Sequence, residues 1–171
     1  FNPIYKEAAI ELGNYFTNNN IGLVYGGGKI GMMGVLADTI LEHKGDVIGV
    51  IPKLLEKKEV IHPGVEEMIV CEKMSDRKVI MSKLVDAYIT LPGGFGTLDE
   101  FAEVLTLVQT GRAKPMPIVL YGSAFWDDVL DMEALARWGT ISTADLELFH
   151  RADSPEEAFA YLQGELGGDE A

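Results

Sequence analysis

At 171 residues, with 47% hydrophobic and 24% charged side chains, the chain is long enough for one soluble domain with a real core. Its 14 basic against 27 acidic residues leave a net charge of −13, which repels polyanions and disfavours nucleic acid or an anionic membrane as the main partner. The single cysteine, Cys71, excludes an internal disulfide, and no apolar run approaches the roughly 20 residues that cross a bilayer. With no signal-peptide pattern at its start, the expected location is the cytoplasm.

The chain opens at Phe1-Asn2-Pro3, where Asn2 reads as an N-cap and Pro3 as a first-turn proline. Because this is a helix start without an initiator methionine, an upstream strand is expected to precede it. Ile4, Ala8, Leu12, Tyr15 and Phe16 recur at helical spacing up to Asn18-Asn19-Asn20. Ile21 to Tyr25 reads as a buried strand, Gly26-Gly27-Gly28 as a turn, and Ile30 to Lys44 as a helix stopped by Gly45. A strand follows at Val47 to Ile51, then a charged loop or short helix from Pro52 to Pro63. The run Glu67 to Cys71 is the next strand, in which Cys71 reads as a buried structural thiol.

Ser75 can cap a helix reaching about Val85, and Ala87 to Leu91 is a strand leading into Pro92-Gly93-Gly94-Phe95-Gly96. A helix is expected from Leu98 to about Thr110, a strand at Pro117 to Tyr121, an amphipathic helix around Phe125 to Trp138, and a short helix after Thr143. Ser154-Pro155-Glu156-Glu157 starts the final helix, and the acidic, glycine-rich stretch Gly164 to Ala171 reads as a disordered tail. Strands alternating with helices predict an α/β fold over residues 1–163, a Rossmann-like doubly wound parallel sheet with helices on both faces and ligands at the strands' carboxyl ends.

Both glycine turns fall at that edge. Gly26, Gly28 and Gly31 satisfy G-x-G-x-x-G, but the next strand ends Val50-Ile51-Pro52-Lys53 without the acid that would hold a ribose diol, which disfavours a nicotinamide dinucleotide. A tight turn with close packing at Gly31 and Gly34 explains the same pattern. Two such turns can nevertheless surround one small phosphorylated ligand, with Gly27, Gly28, Gly93, Gly94 and Gly96 bringing backbone N–H groups close to an anion. Thr97 and Glu100 fit a capping box, or a phosphate contact with a carboxylate beside it.

Arg77 and Lys78 are cations at a helix N-terminus, where they call for a compensating anion. That anion is either a bound ligand or Asp76 or Glu72. Lys29 and Lys83 also lie near the turns and could join them in a positive pocket. His43, His62 and His150 are too scattered to suggest a metal, and no metal or cofactor is expected. His43 reads as a helix C-terminal charge, His150 as surface, and His62 as structural or near the pocket.

Taken together, Tyr25-Gly26-Gly27-Gly28, Gly31-Met32-Met33-Gly34, Val47-Ile48-Gly49-Val50-Ile51-Pro52, Arg77-Lys78 and Pro92-Gly93-Gly94-Phe95-Gly96-Thr97-Leu98-Asp99-Glu100 resemble the LONELY GUY family, from Asn2 to about Tyr161. The resemblance implies a Rossmann-like hydrolase, usually a homodimer: a cytokinin riboside 5'-monophosphate phosphoribohydrolase, with cleavage of AMP common among bacterial relatives. It implies Arg77 and Glu100 as the catalytic pair, Gly94, Gly96 and Thr97 on the 5'-phosphate, and Met74 and Lys78 lining the nucleotide site. The family's first strand ends in a Gly-Ser turn that this chain does not include, and Asp76 stands where Glu is common. Gln109-Thr110-Gly111-Arg112-Ala113-Lys114-Pro115 resembles the bacterial branch. A lysine decarboxylase label attached to such sequences finds no support, since no lysine has a recognisable cofactor-forming context. The rival class is a non-catalytic nucleotide-binding protein or molybdenum cofactor carrier. The face Phe101, Leu105 and Val108 suits either a dimer contact or the core.

Overall fold

The computed structural model describes residues 3–56 and 61–167. The chain forms two compact units, Phe1–Val85 and Asp86–Ala171, each with its own parallel sheet. Asn2, the expected first N-cap, lies outside the described residues.

In the first unit, helix α1 (Pro3–Asn18) packs on α2 (Met32–Glu42); of the expected stripe Leu12 and Phe16 are buried, Ala8 and Tyr15 half-buried and Ile4 exposed, and Ala9 is buried in addition. Strands β1 (Leu23–Tyr25), β2 (Val47–Pro52) and β3 (Glu67–Cys71) lie side by side in that order, all parallel. Central β2 is the apolar strand because sheet neighbours flank it on both sides and helices pack on it; Val50 and Ile51 are fully buried. The short α3 (Lys53–Glu56) follows at once, while 57–60 fall outside the described residues. Helix α2 starts two residues later than its periodicity suggests, because Gly31 at φ 82° forms the N-cap. Of the two glycines expected to pack closely, only Gly34 does: a Cβ there would run into the backbone carbonyl of Lys29, whereas Gly31 has open space and is needed for its positive φ.

Helix α4 (Met74–Leu84) is capped differently from the expectation. Ser75 lies inside the helix, and the Asp76 carboxylate instead accepts the Lys73 N–H at 3.2 Å. That bond places a negative charge at the helix N-terminus, where it offsets the neighbouring cations. Cys71 is buried, its S–H reaches the Lys73 carbonyl at 3.4 Å, and burial pushes the thiol's pKa up, as befits an inert structural position.

The second unit repeats the pattern with β4 (Tyr88–Thr90), β5 (Ile118–Tyr121) and β6 (His150–Ala152), again parallel. Strand β6 has no counterpart in the sequence reading, since a three-residue stretch of His, Arg and Ala carries no apolar signal. It is held from outside: Arg151 pairs with Asp127 at 3.1 Å and Glu133 at 3.3 Å, and its guanidinium covers the Phe149 ring.

Helix α5 (Phe95–Gln109) begins three residues earlier than expected, with Gly94 as N-cap. The single helix expected around 125–138 is two, α6 (Ser123–Val129) and α7 (Met132–Arg137), because Asp131 turns its carboxylate onto the Ala134 N–H at 2.8 Å and starts a new helix. The short helix after Thr143 is a 3-10 turn (Thr143–Leu148) closed by a Ser142/Asp145 capping box. The last helix, α8 (Pro155–Gly167), runs through Gly164, so the expected disordered tail cannot begin there; 168–171 lie outside the described residues.

The core of this unit joins Phe101, Ile118, Leu120, Trp126, Met132 and Phe149, with Leu105 and Val108 packed against it. The apolar face of α5 thus packs into the core, with Phe101 buried and Leu105 and Val108 half-buried at its margin. Trp126 is buried and donates its indole N–H to the Tyr121 carbonyl at 3.1 Å.

Candidate active site

The first glycine turn is built from four directions. It leaves β1 at Tyr25, which is 1% exposed and whose hydroxyl pKa is pushed up to about 12 by burial and by the nearby negative charge of Asp38. From the strand side, Met68 wedges between Gly27 and Gly49: a Cβ on either glycine would come within 2.9 Å of its sulfur. From the α4 side, the Arg77 fork lies on Gly26 so closely that a Cβ there would sit 3.2 Å from the guanidinium carbon and nearer still to Nη2. The Nη1 of the same fork reaches the Met74 sulfur at 3.5 Å.

The fourth contact is a strap. Ile61 makes an antiparallel bridge to Gly28, and the His62 N–H donates to the Gly27 carbonyl at 3.0 Å. The turn therefore brings Gly26, Gly27, Met74 and Arg77 into one assembly. Lys78 is half-buried on the same helix, one residue on. Lys83 lies in the last turn of α4, about 9 Å further along the axis at 1.5 Å per residue, and so does not share the positive end with Arg77. Lys29 is exposed on the loop after the turn. Of the four cations expected near the turns, Arg77 and Lys78 share the first half of α4 and Lys83 lies at its far end.

Glu72 pairs with Lys53, and Asp76 caps α4 beside Arg77 and Lys78. His43 is the C-cap of α2, its Nδ1 2.9 Å from the Thr39 carbonyl. His150 is exposed and stacked on Tyr161 at 4.5 Å.

The second turn is different. Gly94 and Gly96 have open space where a Cβ would be, and Phe95 between them is 90% exposed. Only Gly93 is packed: the Thr97 side chain folds back over it, leaving no room for a methyl group. Because α5 starts at Phe95, Thr97 occupies its third position and Glu100 its sixth, so these two form no capping box and Gly94 caps without a side chain. The first-turn N–H groups of a 15-residue helix thus face an unobstructed glycine surface, a geometry suited to an anion. Glu100 is half-buried one turn further along, and its charge, after burial itself and Glu103, helps push the Tyr88 hydroxyl pKa up.

Sequence reasoning passed over Asp38. It lies on α2, 24 residues before His62, and nothing in the local pattern distinguishes it from a solvated helix carboxylate.

Parallel sheets flanked by helices, with glycine-rich turns leading from strand to helix, define an α/β protein of the nucleotide-binding kind. A family profile described as "Possible lysine decarboxylase" matches residues 33–162. Cytokinin riboside 5'-monophosphate phosphoribohydrolase LOG1 of Arabidopsis thaliana is 39% identical over 161 residues, covering 93% of this chain and 75% of the relative. The rice (Oryza sativa subsp. japonica) enzyme LOG, of the same name, is 42% identical over 132 residues, covering 77% and 54%. The chain belongs to this LONELY GUY family. Among solved structures, the molybdenum cofactor binding protein from the phototrophic bacterium Rippkaea orientalis shares the fold at TM-score 0.70 and 22% identity, over 96% of this chain and 90% of the other. The molybdenum cofactor carrier protein of Chlamydomonas reinhardtii does so at TM-score 0.69 and 24% identity, over 97% and 90%.

Proposed function

We propose that the chain is a nucleoside 5'-monophosphate phosphoribohydrolase, which hydrolyses the N-glycosidic bond of a cytokinin riboside 5'-monophosphate or AMP to free base and ribose 5-phosphate. Its family membership supports this reading. The observation that carries it is the open start of α5, where Gly94 and Gly96 leave donor N–H groups uncovered with a carboxylate one turn beyond.

In this reaction the C1'–N bond breaks with its electron pair going to the base, through an oxocarbenium-like sugar, and the oxygen of a water adds to C1'. The 5'-phosphate is the handle: held by Gly93, Gly94, Gly96 and Thr97, it fixes the ribose so that binding energy orients C1'. Glu100 stabilises the positive sugar and takes the proton of the attacking water. The departing base takes up a proton at a ring nitrogen from Asp76 or a water, and Glu100 then returns its own proton to solvent. Arg77 balances charge around the substrate through its planar fork, with Gly27, Gly28, Met74 and Lys78 as further substrate contacts.

In this reading, residues 1–163 act as one nucleotide-binding domain in a cytoplasmic homodimer of the bacterial type. Light scattering on the eluting protein checks the dimer. Among the described residues, no helix is long and apolar enough to cross a membrane.

The likeness to molybdenum cofactor carriers favours a second reading, binding without turnover. Incubating the chain with AMP and with an isopentenylated analogue separates the two. Free base and ribose 5-phosphate support the hydrolase, whereas bound, intact nucleotide supports the carrier. The riboside lacking phosphate is the control, and its turnover at the same rate would remove the phosphate from the account.

A further inference from the structure

We infer that His62 and Asp38 form a latch that holds the first glycine turn in shape and thereby sets the seat of the Arg77 fork. This inference rests on the assignment of Arg77 to the reaction proposed above.

Three glycines in succession have no side chains with which to hold a turn, and each can adopt many backbone conformations. Gly27, at φ +78°, is in the left-handed region. What fixes the turn must come from elsewhere, and the strap supplies it through the Ile61 bridge to Gly28 and the His62 N–H on the Gly27 carbonyl. The strap is itself fixed by the His62 ring, which is 3% exposed. The Gly64 N–H donates to its Nδ1 at 3.1 Å, so Nδ1 is an acceptor and the ring proton sits on Nε2. That proton is donated to the Asp38 carboxylate at 2.9 Å.

Asp38 stands on α2, the helix that the turn leads into. The turn is thus clamped between its own helix and the strap, with the imidazole as the pin. Arg77 rests on Gly26, the residue before the clamped pair, with no space to spare. A turn released by loss of the latch no longer presents the same surface to the guanidinium. His62 and Asp38 are accordingly positioning residues.

The test uses the whole chain and compares Asp38→Ala, Asp38→Asn and His62→Gln with wild type. Displacing a reacting group by about 1 Å can cost about a hundredfold. Asp38→Ala, which removes the acceptor, should lower kcat on AMP about tenfold to a hundredfold while KM stays within about twofold. Asp38→Asn keeps an acceptor oxygen and His62→Gln keeps a donor at the Nε2 position, so both should recover most of kcat.

The Nε–H NMR signal of Arg77 should shift in Asp38→Ala and return in Asp38→Asn. Asp38 is half-exposed, so this pair carries the test even where changes at buried His62 impair folding. If wild type releases base from no nucleotide, the proposed function fails and the Arg77 signal alone decides the latch. Wild-type kcat in Asp38→Ala, or an unmoved Arg77 signal, overturns the inference.

Discussion

Gly26-Gly27-Gly28 after β1 and Gly93-Gly94-Phe95-Gly96 before α5 look interchangeable as sequence, yet the first is packed from several sides and the second stands open. At the first turn the missing side chains make room for protein: the Arg77 fork on Gly26 and the Met68 sulfur against Gly27. At the second they leave room for something that is not protein, since Gly94 and Gly96 face open space at the start of a helix. Glycine therefore serves close approach in one place and exposure of N–H groups in the other. A methyl group added to each tells the two apart.

The largest expected effect tests the open turn's helix. Glu100→Gln should lower adenine release from AMP about a thousandfold, while calorimetry still detects nucleotide binding. Undiminished turnover would remove Glu100 from the mechanism.

Next comes the packed turn. Arg77→Ala should lower kcat about a hundredfold, and Gly26→Ala should nearly reproduce that loss, because its methyl group displaces the guanidinium. A fully active Gly26→Ala would show that the packing has no bearing on the reaction.

Gly96→Ala is the counterpart at the open turn. Its methyl group meets nothing, and a helix gains from alanine, so the thermal midpoint should hold or rise by the equivalent of about 0.5 kcal/mol. KM for AMP should rise severalfold, and an unchanged KM would move the phosphate elsewhere.

The smallest effect appears only in alkali. Tyr25, at the end of the strand entering the packed turn, keeps its proton up to about pH 12 in the folded chain, against an ordinary pKa of 10.0. A pKa raised by folding contributes stability that is fully present below 10 and is lost as pH rises through 12. Urea midpoints should fall across that window in wild type, and the fall should be smaller in Tyr25→Phe. Tyr88, which opens the strand leading to the open turn, shares the direction through its own burial and then Glu103 and Glu100.

Much of the fold was legible because its signals are local. The helical spacing of Leu12 and Phe16, the apolar run of β2 and the glycines after β1 each announce themselves within a few residues. Where the reading went astray, a distant partner had decided the matter. Strand β6 exists because β5 offers an edge and Arg151 finds two carboxylates, and neither fact is visible in His150-Arg151-Ala152. Helix α5 starts at Phe95 because Gly94 can cap it, which turned Thr97 from an expected cap into a third-position residue. The face Phe101, Leu105 and Val108 reads the same for core as for contact, and only the placement of Trp126 and Phe149 shows that it packs into the core.

The sequence by itself determined the alternation of strand and helix, the two glycine turns, the family, and the residues to test, because periodicity and motif spacing are properties of neighbouring positions. Only the tertiary structure decided which glycines are crowded and which are bare, and that Asp38 meets His62 across 24 positions of chain. Those outcomes depend on which side chain reaches a backbone from a separate element. That is a matter of distance in space, which order along the chain does not encode.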